Sequence, residues 1–332
     1  MSEITKRRLG RTGLDVTEVG LGTVFLTRQM GVEREDAVRV IHRALELGVN
    51  CFDTAPLYGD AQEVVGEALA GRKEDYILST KCGRWRDWKT GPFRDLDAFK
   101  AQFEDSLKLL RQDSVDILYI HEADFAIYWE DMEIPRTRCE MDLDGSYDYS
   151  SSPVAKFLRW AKQQRMVRHL GISGNNAHLL AKVLREIDLD VEVVLAAFQY
   201  SLIWRNAREY LLPLAKEIDV GVVLGAPLQQ GRLAVPHEEW LTQPPEWMAD
   251  DTRERFAALY AIQKDAGMTL AELGGRFLLA DPDFAALIPG AANVAQLEEN
   301  VACSAAGPLP KELHDRLEAL GKVFAGLFHK DY

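Results

Sequence analysis

Short apolar runs and amphipathic stretches alternate along most of the chain. The apolar runs suit buried strands, because helices in globular proteins are usually longer. The stretches between them carry apolar residues at helical spacing, and the first ends at a glycine, as many helices do. The pattern predicts strands at residues 19–23, 49–53, 76–81, 115–121, 167–173, 191–200, 220–227 and 285–290. It predicts helices at 33–48, 61–70, 97–111, 153–165, 176–187, 207–218, 253–281 and 293–302, with a terminal helix at 310–325.

This alternation predicts an α/β fold, the (β/α)₈ barrel. Apolar strands separated by amphipathic helices indicate a parallel sheet that is covered on both faces, and eight such units close into a barrel. An open doubly wound sheet is the competing fold. It is disfavoured because GLGTVF at 20–25 has two of the three glycines of a dinucleotide-binding turn and no helix directly behind it. We expect a β-hairpin at residues 6–19 and a single domain over residues 1–332, since no linker interrupts the pattern.

Two long stretches fall outside the alternation and predict long loops at the carboxyl-terminal face of the barrel. Glu122–Ser152 carries nine acidic residues and two arginines, with Tyr128, Trp129, Tyr147 and Tyr149 among them. Arg232–Asp251 holds three prolines and two tryptophans. Loops of this length are usually functional lids or disordered segments, and their aromatic content disfavours disorder.

Composition narrows the function classes. The 332-residue chain has a formal net charge of −13, which argues against nucleic acid or an anionic membrane as a partner. No apolar run approaches the ~18 residues of a membrane span, and residues 1–6 lack the apolar core expected of a signal peptide. The four cysteines lie far apart without a C-x-x-C pair, which predicts neither a disulfide framework nor a zinc site. We therefore expect a cytoplasmic protein whose partner is a small molecule.

Four ionisable residues lie at or just beyond strand ends. Asp53 ends the second predicted strand, Lys81 the third and His121 the fourth, and Tyr58 follows on the loop after the second. Because the carboxyl ends of barrel strands meet at one face, we expect these side chains to form one catalytic site. Taken alone, this stretch is equally consistent with a structural role, in which Asp53 caps a turn and Tyr58 packs beneath it.

Electrostatic effects indicate which chemistry these four side chains can carry out. A lysine ammonium roughly 4 Å away stabilises a phenolate by about 4 kcal/mol at an effective dielectric of ~20, which lowers the pKa of the tyrosine before desolvation acts. Tyr58 would then donate a proton to a carbonyl oxygen that His121 holds, with Asp53 orienting Lys81. Reduction of the carbonyl needs in addition a hydride from a nicotinamide cofactor.

Other chemistries compete for the same residues. A strand-end lysine in a barrel also suits a Schiff-base aldolase, with Lys81 as the nucleophile. His121 could be a core histidine or a metal ligand, but no second histidine joins it at ligand spacing, so no metal site is predicted.

The order of motifs resembles the aldo-keto reductase family over nearly the whole chain. The motifs are LGRTGLDVTEVGLGT at 9–23, FDTAPLYG at 52–59, LSTK at 78–81, LYIH at 118–121, GIS at 171–173, FQY at 198–200, APLQQG at 226–231 and IPGAANVAQLEEN at 288–300. The resemblance implies that Asp53, Tyr58, Lys81 and His121 form the catalytic tetrad. In it, Tyr58 is the general acid and His121 orients the carbonyl.

The resemblance also implies NADP as the cofactor, with NAD as the alternative. Ser173 and Gln199 would hold the carboxamide of the nicotinamide, and residues 290–300 would surround the adenosine end. The implied cofactor-binding residues are Gly22, Thr23, Asp53, Ser173, Gln199, Gly225, Ala226, Leu228, Gly231, Arg232, Gly290, Ala291, Asn293, Gln296, Glu299 and Asn300.

Three positions depart from the family pattern. Gly174 stands where many members have asparagine after the serine of GIS. Gly225 replaces the aromatic residue that stacks on the nicotinamide, which resembles the sugar and aldose dehydrogenases of the family. Residues 290–296 contain no lysine or arginine to pair a 2′-phosphate, and Arg232 is the basic residue nearest in the pattern.

The substrate is expected to be an aldehyde or ketone, with a sugar as one class. Five aromatic residues that follow strand ends would either line its pocket or pack the loops: Trp85, Trp88, Tyr128, Trp129 and Trp204. The acid-rich loop disfavours anionic substrates such as sugar phosphates. The alternative function, from another class, is a non-catalytic nicotinamide-binding subunit that senses redox state.

Overall fold

The chain begins with a short antiparallel hairpin. In the computed structural model, which describes residues 4–85, 91–130 and 141–324, strand β1 (Lys6–Arg8) pairs with β2 (Asp15–Thr17). The Leu9 amide donates to the Leu14 carbonyl at 2.9 Å across the turn. The predicted N-terminal hairpin is confirmed.

Eight parallel strands form the central sheet, each paired with its neighbour in chain order. The bridges Val19↔Leu287 and Gly22↔Gly290 join the first strand to the last and close the ring. The strands are β3 (Leu21–Gly22), β4 (Cys51–Asp53), β5 (Ile77–Cys82), β6 (Val115–Ile120), β7 (Val167–Gly174), β8 (Val191–Ala197), β9 (Gly221–Gly225) and β10 (Ala286–Ile288). The predicted (β/α)₈ barrel is confirmed.

Helices follow the strands and cover the outside of the barrel. They are α1 (Arg34–Glu46), α2 (Ala61–Leu69), α3 (Leu96–Leu110), α4 (Pro153–Gln163), α5 (Ala177–Glu186), α6 (Leu212–Glu217), α7 (Asp250–Ala266), α8 (Leu270–Leu279), α9 (Val294–Ala306) and α10 (Lys311–Glu318). Within the described ranges, none of them combines the length and the apolar content that crossing a membrane requires.

Two predicted helices differ from the observed ones. The stretch 253–281 forms two helices, α7 and α8, because Gly267 ends the first in a left-handed conformation with φ 65°. Thr269 then caps the second by accepting a hydrogen bond from the Glu272 amide at 3.0 Å. The terminal helix α10 ends at Glu318, and residue 325 of the predicted helix lies outside the described residues.

The interior of the barrel is a separate hydrophobic core, and the hairpin closes its amino-terminal end. Leu9, Leu14 and Val16 of the hairpin pack on the inward side chains of the strands. The inward residues are Cys51, Ile77, Ile117, Tyr119, Val193, Leu195, Val223, Ala286 and Ile288. The amino-terminal part of the barrel is therefore filled with side chains, which leaves its carboxyl-terminal end for a site.

The described parts of both long loops are packed with aromatic rings. In the acid-rich loop, Trp129 lies 4.9 Å from Tyr149 between ring centroids. In the second loop, His237 stacks on Trp240 at 3.9 Å, and Trp240 meets Trp247 edge to face. These contacts agree with the expectation that the loops are ordered, while residues 131–140 lie outside the described part.

Two glycines of the hairpin turn provide a matched test of how the hairpin closes the barrel. Both have left-handed backbone, with φ 50° at Gly10 and 74° at Gly13. A Cβ at Gly10 would lie 2.2 Å from the Gly221 amide nitrogen of β9, whereas a Cβ at Gly13 would meet nothing within 4 Å. We expect Gly13→Ala to lower the free energy of unfolding by about 1 kcal/mol, the cost of the backbone conformation alone. Gly10→Ala should lower it by about 3 kcal/mol or more, because steric overlap adds to that cost.

Urea denaturation of the two variants and the wild type measures this difference. Equal losses in Gly10→Ala and Gly13→Ala would show that the hairpin is not packed tightly against β9.

Candidate active site

The barrel brings the four predicted catalytic residues together at its carboxyl-terminal end. Asp53 is the last residue of β4, Lys81 lies near the end of β5, and His121 directly follows β6. Tyr58 lies on the turn after β4. All four side chains line one cavity.

Lys81 and Asp53 form a buried ion pair. The Lys81 ammonium lies 2.5 Å from the Asp53 carboxylate and donates a second hydrogen bond to the Thr54 carbonyl at 3.0 Å. The Ser79 hydroxyl donates to the other Asp53 oxygen at 2.8 Å. Burial lowers the pKa of Lys81, but attraction to Asp53 and Tyr58 outweighs it and raises the pKa overall. Lys81 therefore remains an ammonium at neutral pH.

Tyr58 presents the phenol of the site. Its ring is half-buried, lies 5.7 Å from the His121 ring between centroids, and has the Lys81 ammonium 4.9 Å from its centre. Burial raises the pKa of Tyr58, and this effect exceeds the lowering by Lys81. The lysine effect that we expected is present, but desolvation outweighs it, so Tyr58 carries its proton at neutral pH.

His121 is a neutral imidazole. Burial, followed by the positive charges of Lys81 and Arg84, holds the pKa of His121 well below its usual range. The Tyr128 hydroxyl oxygen lies 2.8 Å from the His121 carbonyl oxygen and 2.9 Å from that of Gly83, and these two acceptors share its one hydrogen. Tyr128 thus fixes the backbone that carries the imidazole.

The cavity above these residues has a volume of about 960 Å³ and extends to the start of helix α9. Most of the predicted cofactor-binding residues lie in its wall. These are Gly22, Thr23, Asp53, Ser173, Gly225, Ala226, Leu228, Gly231, Gly290, Gln296, Glu299 and Asn300.

Four of the predicted cofactor-binding residues do not line the cavity. The Gln199 side chain donates to the Asn175 carbonyl and accepts from the Ala177 amide at 3.0 Å, so both its polar atoms bind backbone. The Arg232 guanidinium lies over the Trp247 ring at 5.2 Å. Ala291 is buried, and Asn293 caps α9 by accepting from the Gln296 amide.

The aromatic residues that were predicted to contact substrate pack beneath the loops. Trp85 lies against Phe93 and Phe99, and Trp204 is buried beside Phe256. Tyr128 and Trp129 are also buried, and the Trp129 indole donates to the Ala123 carbonyl at 2.7 Å. Of the two roles expected for these rings, the four described ones have the second, since they fill the space under the loops and do not line the cavity. Trp88 lies outside the described residues.

Other side chains line the cavity in their place, and sequence reasoning did not select them as site residues. The apolar ones are Phe25, Leu57, Phe125, Phe198 and Val235, and the polar ones are Glu122, Asp124, Asn175 and Gln230. For Glu122, the sequence offered one indication of a role in the site, namely that it directly follows His121 at the end of a predicted strand. The apolar residues lie on loops without any periodic pattern.

A polar wall of the cavity runs from Arg84 to Asp124. The Arg84 guanidinium lies 2.7 Å from the Glu122 carboxylate, whose other oxygen accepts from the Asn175 side-chain amide at 3.0 Å. Asp124 accepts from the Asn175 backbone amide at 2.7 Å. Burial, assisted by the charge of Glu122, raises the pKa of Asp124 to about 7. A Cβ at Gly174 would lie 2.5 Å from an Asp124 oxygen, so the carboxyl occupies space that a side chain at 174 would need.

The far end of the cavity fits a dinucleotide. Helix α9 begins there, with Asn293 as its cap and with the Ala292 amide bound to the Gln296 side chain at 2.8 Å. Backbone amides at a helix N-terminus bind phosphate readily. Gly290 leaves room for Phe25, whose ring would lie 2.3 Å from a Cβ at that position. The residues present thus suit a cofactor extending from α9 to Tyr58.

Known proteins are similar to this chain over most of its length. The model of the aldo/keto reductase family matches residues 18–322. L-galactose dehydrogenase from Arabidopsis thaliana is 31% identical over 311 residues, which span 91% of this chain and 88% of that protein. Pyridoxal 4-dehydrogenase from Microbacterium luteolum is 26% identical, covering 89% and 92% of the two chains. The holo form of the aldo-keto reductase AKR11C1 from Bacillus halodurans superimposes with a TM-score of 0.74 at 26% identity, covering 97% of this chain and 98% of that one. The chain belongs to the aldo/keto reductase family.

Proposed function

We propose that the protein is an NAD(P)-dependent oxidoreductase that interconverts an aldehyde or ketone with its alcohol, with Tyr58 as the general acid and base. The observation that carries this proposal is the position of Tyr58, which lines the cavity with the buried Lys81 ammonium 4.9 Å from its ring centre. A neutral acid beside a fixed positive charge suits proton donation to a carbonyl oxygen.

Each residue of the site has a separate role in the proposed reaction. A reduced nicotinamide, when bound, supplies a hydride to the carbonyl carbon and is left oxidised. Tyr58 gives its proton to the carbonyl oxygen, which completes the alcohol. Lys81 stabilises the phenolate that remains, and Asp53 keeps the ammonium in place. His121, neutral and next to Tyr58, orients the oxygen. In alcohol oxidation the same groups act in reverse.

The state of Lys81 disfavours the Schiff-base alternative. A nucleophilic amine must lose its proton, yet the pKa of Lys81 is raised by Asp53 and Tyr58 against the effect of burial. Two of its hydrogens are also held by Asp53 and Thr54.

A sugar is the substrate class that we favour. One relative is named for L-galactose, and the small Gly225 lines the cavity where other members of the family carry an aromatic ring. The partner is then a small molecule, and neither a nucleic acid nor a membrane is proposed. Cytoplasmic location and a single domain over residues 1–332 stay predictions.

The charges at the adenosine end of the cavity favour NAD, the alternative cofactor, over the NADP that the family resemblance implies. Among the described residues that line this end, Glu299 is charged and no lysine or arginine is present. Arg276, on the neighbouring helix, donates to Glu272 and to the carbonyls of Gly307 and Pro308. A carboxylate without a nearby cation repels a 2′-phosphate, which supports NAD.

Removal of the Tyr58 hydroxyl tests the proton donor. We expect Tyr58→Phe to lower kcat for carbonyl reduction by about 10²- to 10⁴-fold, while cofactor affinity measured by fluorescence titration changes little. Tyr76→Phe is the matched control, because its hydroxyl contacts Gln112 away from the cavity. Undiminished turnover in Tyr58→Phe would remove the phenol from the mechanism. Cofactor binding without turnover by the wild type would favour the redox-sensing subunit.

The pH profile tests the protonation states. Reduction needs protonated Tyr58, whose pKa is raised above ~10 by burial, so kcat/KM should stay level from about pH 6 to about pH 9 and fall above that range. His121 should add no inflection near pH 6.5, because burial keeps its pKa well below that value. Asp124, with a pKa of about 7, is the other group in the wall that titrates in this range. An inflection near pH 6.5 that persists in Asp124→Asn would contradict a neutral His121.

Cofactor titration tests the role of Glu299. We expect NADH to bind at least as tightly as NADPH in fluorescence titrations of the wild type. Glu299→Gln should shift the ratio of the two Kd values toward NADPH by about two- to fivefold, the range of a partly exposed charge interaction. Glu298→Gln is the control, since Glu298 pairs with Arg43 on the outer surface. Tighter NADPH binding by the wild type would reject the preference for NAD.

A further inference from the structure

Gly290 lies under an aromatic ring that occupies the space a side chain would need. Its φ is outside the left-handed region, so the backbone does not require a glycine at this position. A Cβ at Gly290 would lie 2.3 Å and 2.9 Å from two carbon atoms of the Phe25 ring. Close-packed atoms do not tolerate such distances. A side chain at position 290 and the present position of the Phe25 ring therefore exclude each other.

The backbone on both sides of this contact is held in place. The bridge between Gly22 and Gly290 joins the first barrel strand to the last, and the Asn300 side-chain amide donates to the Gly290 carbonyl at 3.3 Å. Leu26, which follows Phe25 in the chain, is completely buried. An overlap at position 290 would therefore have to be relieved by the Phe25 side chain.

The Phe25 ring is also part of the cavity wall. It is half-buried and lines the cavity together with Gly290, Gln296, Glu299 and Asn300, at the end where the adenosine of the cofactor is expected. A phosphate that is placed against an apolar ring loses hydration without gaining a hydrogen-bond donor, and burial of an unpaired charge is costly. A ribose hydroxyl bears the same contact at a much smaller cost. The ring therefore disfavours a cofactor with an additional phosphate at this end.

We propose that Phe25 selects NAD over NADP, because its ring occupies the place beside the adenosine ribose from which a cation would bind a 2′-phosphate. Gly290 contributes to this selection by leaving the space that the ring fills. The inference rests on the proposed function and names a determinant of its cofactor choice. This determinant is steric and apolar, and it is separate from the negative charge of Glu299.

Replacement of the ring by a cation tests what Phe25 faces. We expect Phe25→Arg to shift the ratio of the Kd values for NADPH and NADH toward NADPH by about tenfold or more in fluorescence titrations, because a charge-assisted hydrogen bond to the phosphate replaces an apolar contact. Phe25→Leu keeps an apolar side chain and should leave the ratio close to that of the wild type. Met30→Arg is the matched control, since it adds the same charge to the same loop at a side chain that is 52% exposed and does not line the cavity.

A second background distinguishes binding of the phosphate from neutralisation of Glu299. Glu299→Gln removes the negative charge, so an arginine that acted only by neutralising Glu299 would add nothing to this variant. We expect Phe25→Arg to produce its shift toward NADPH in the Glu299→Gln background as well. The titration needs no substrate and no turnover, so it reports on cofactor binding alone.

A double-variant cycle tests the exclusion between the ring and a side chain at position 290. Gly290→Lys alone should leave the ratio of the Kd values close to that of the wild type, because the ring blocks the lysine. Phe25→Ala combined with Gly290→Lys should shift the ratio toward NADPH by more than the product of the two single shifts. Urea denaturation provides a readout without cofactor. Gly290→Ala should lower the denaturation midpoint of the wild type more than it lowers that of Phe25→Ala.

Three results would overturn the inference while leaving the proposed function intact. The first is an unchanged ratio in Phe25→Arg, which requires no substitution at Gly290. The second is a shift in Gly290→Lys as large as in the double variant, or an equal loss of midpoint in both backgrounds. The third is a wild type that binds NADPH more tightly than NADH. A wild type that binds neither cofactor would instead reject the proposed function together with the inference.

Discussion

The site depends on one buried ion pair, between Lys81 of β5 and Asp53 of β4. Both side chains are almost inaccessible to solvent, and burying two charges costs several kcal/mol per ion unless they are paired and hydrogen-bonded. The pairing of neighbouring strands supplies the partners, because Asp53 lies opposite Ser79, whose hydroxyl binds it, and Lys81 follows two residues later. Removing either charge leaves the other buried and unpaired, so the pair holds as a unit.

The chemistry of Tyr58 follows from two opposing effects of the same surroundings. Burial disfavours the phenolate, while the Lys81 ammonium favours it, and burial is the larger effect. Tyr58 therefore remains an acid at neutral pH, and the ammonium acts chiefly once the proton has left. In the reaction that we propose, this arrangement stabilises charge where it develops. His121 stays neutral beside it for the same reason, since burial and two nearby cations oppose its protonation.

The sequence predicted those features that depend on strand ends. Apolar runs ending at Asp53, Lys81 and His121 indicated both the barrel and the clustering of these side chains at one end of it, because parallel strands place their carboxyl ends together. No comparable rule places side chains that lie on loops. From the sequence, the rings of Trp129 and Trp204 were therefore equally suited to a pocket and to a buried cluster. Their burial is decided by contacts between distant segments.

The departure at Gly174 and the polar wall of the cavity belong to one chain of contacts. Asp124 occupies the space beside Gly174 and binds the Asn175 amide, and the Asn175 side chain binds Glu122, which pairs with Arg84. A side chain at position 174 would displace the Asp124 carboxyl and weaken its hydrogen bond to the Asn175 amide. The orientation of Glu122, which Asn175 binds, therefore depends on Gly174. In the sequence, Gly174 departs from the family pattern next to Ser173, which was expected to bind the nicotinamide carboxamide. The contacts connect it instead with Glu122, Asp124 and Asn175, which line the cavity.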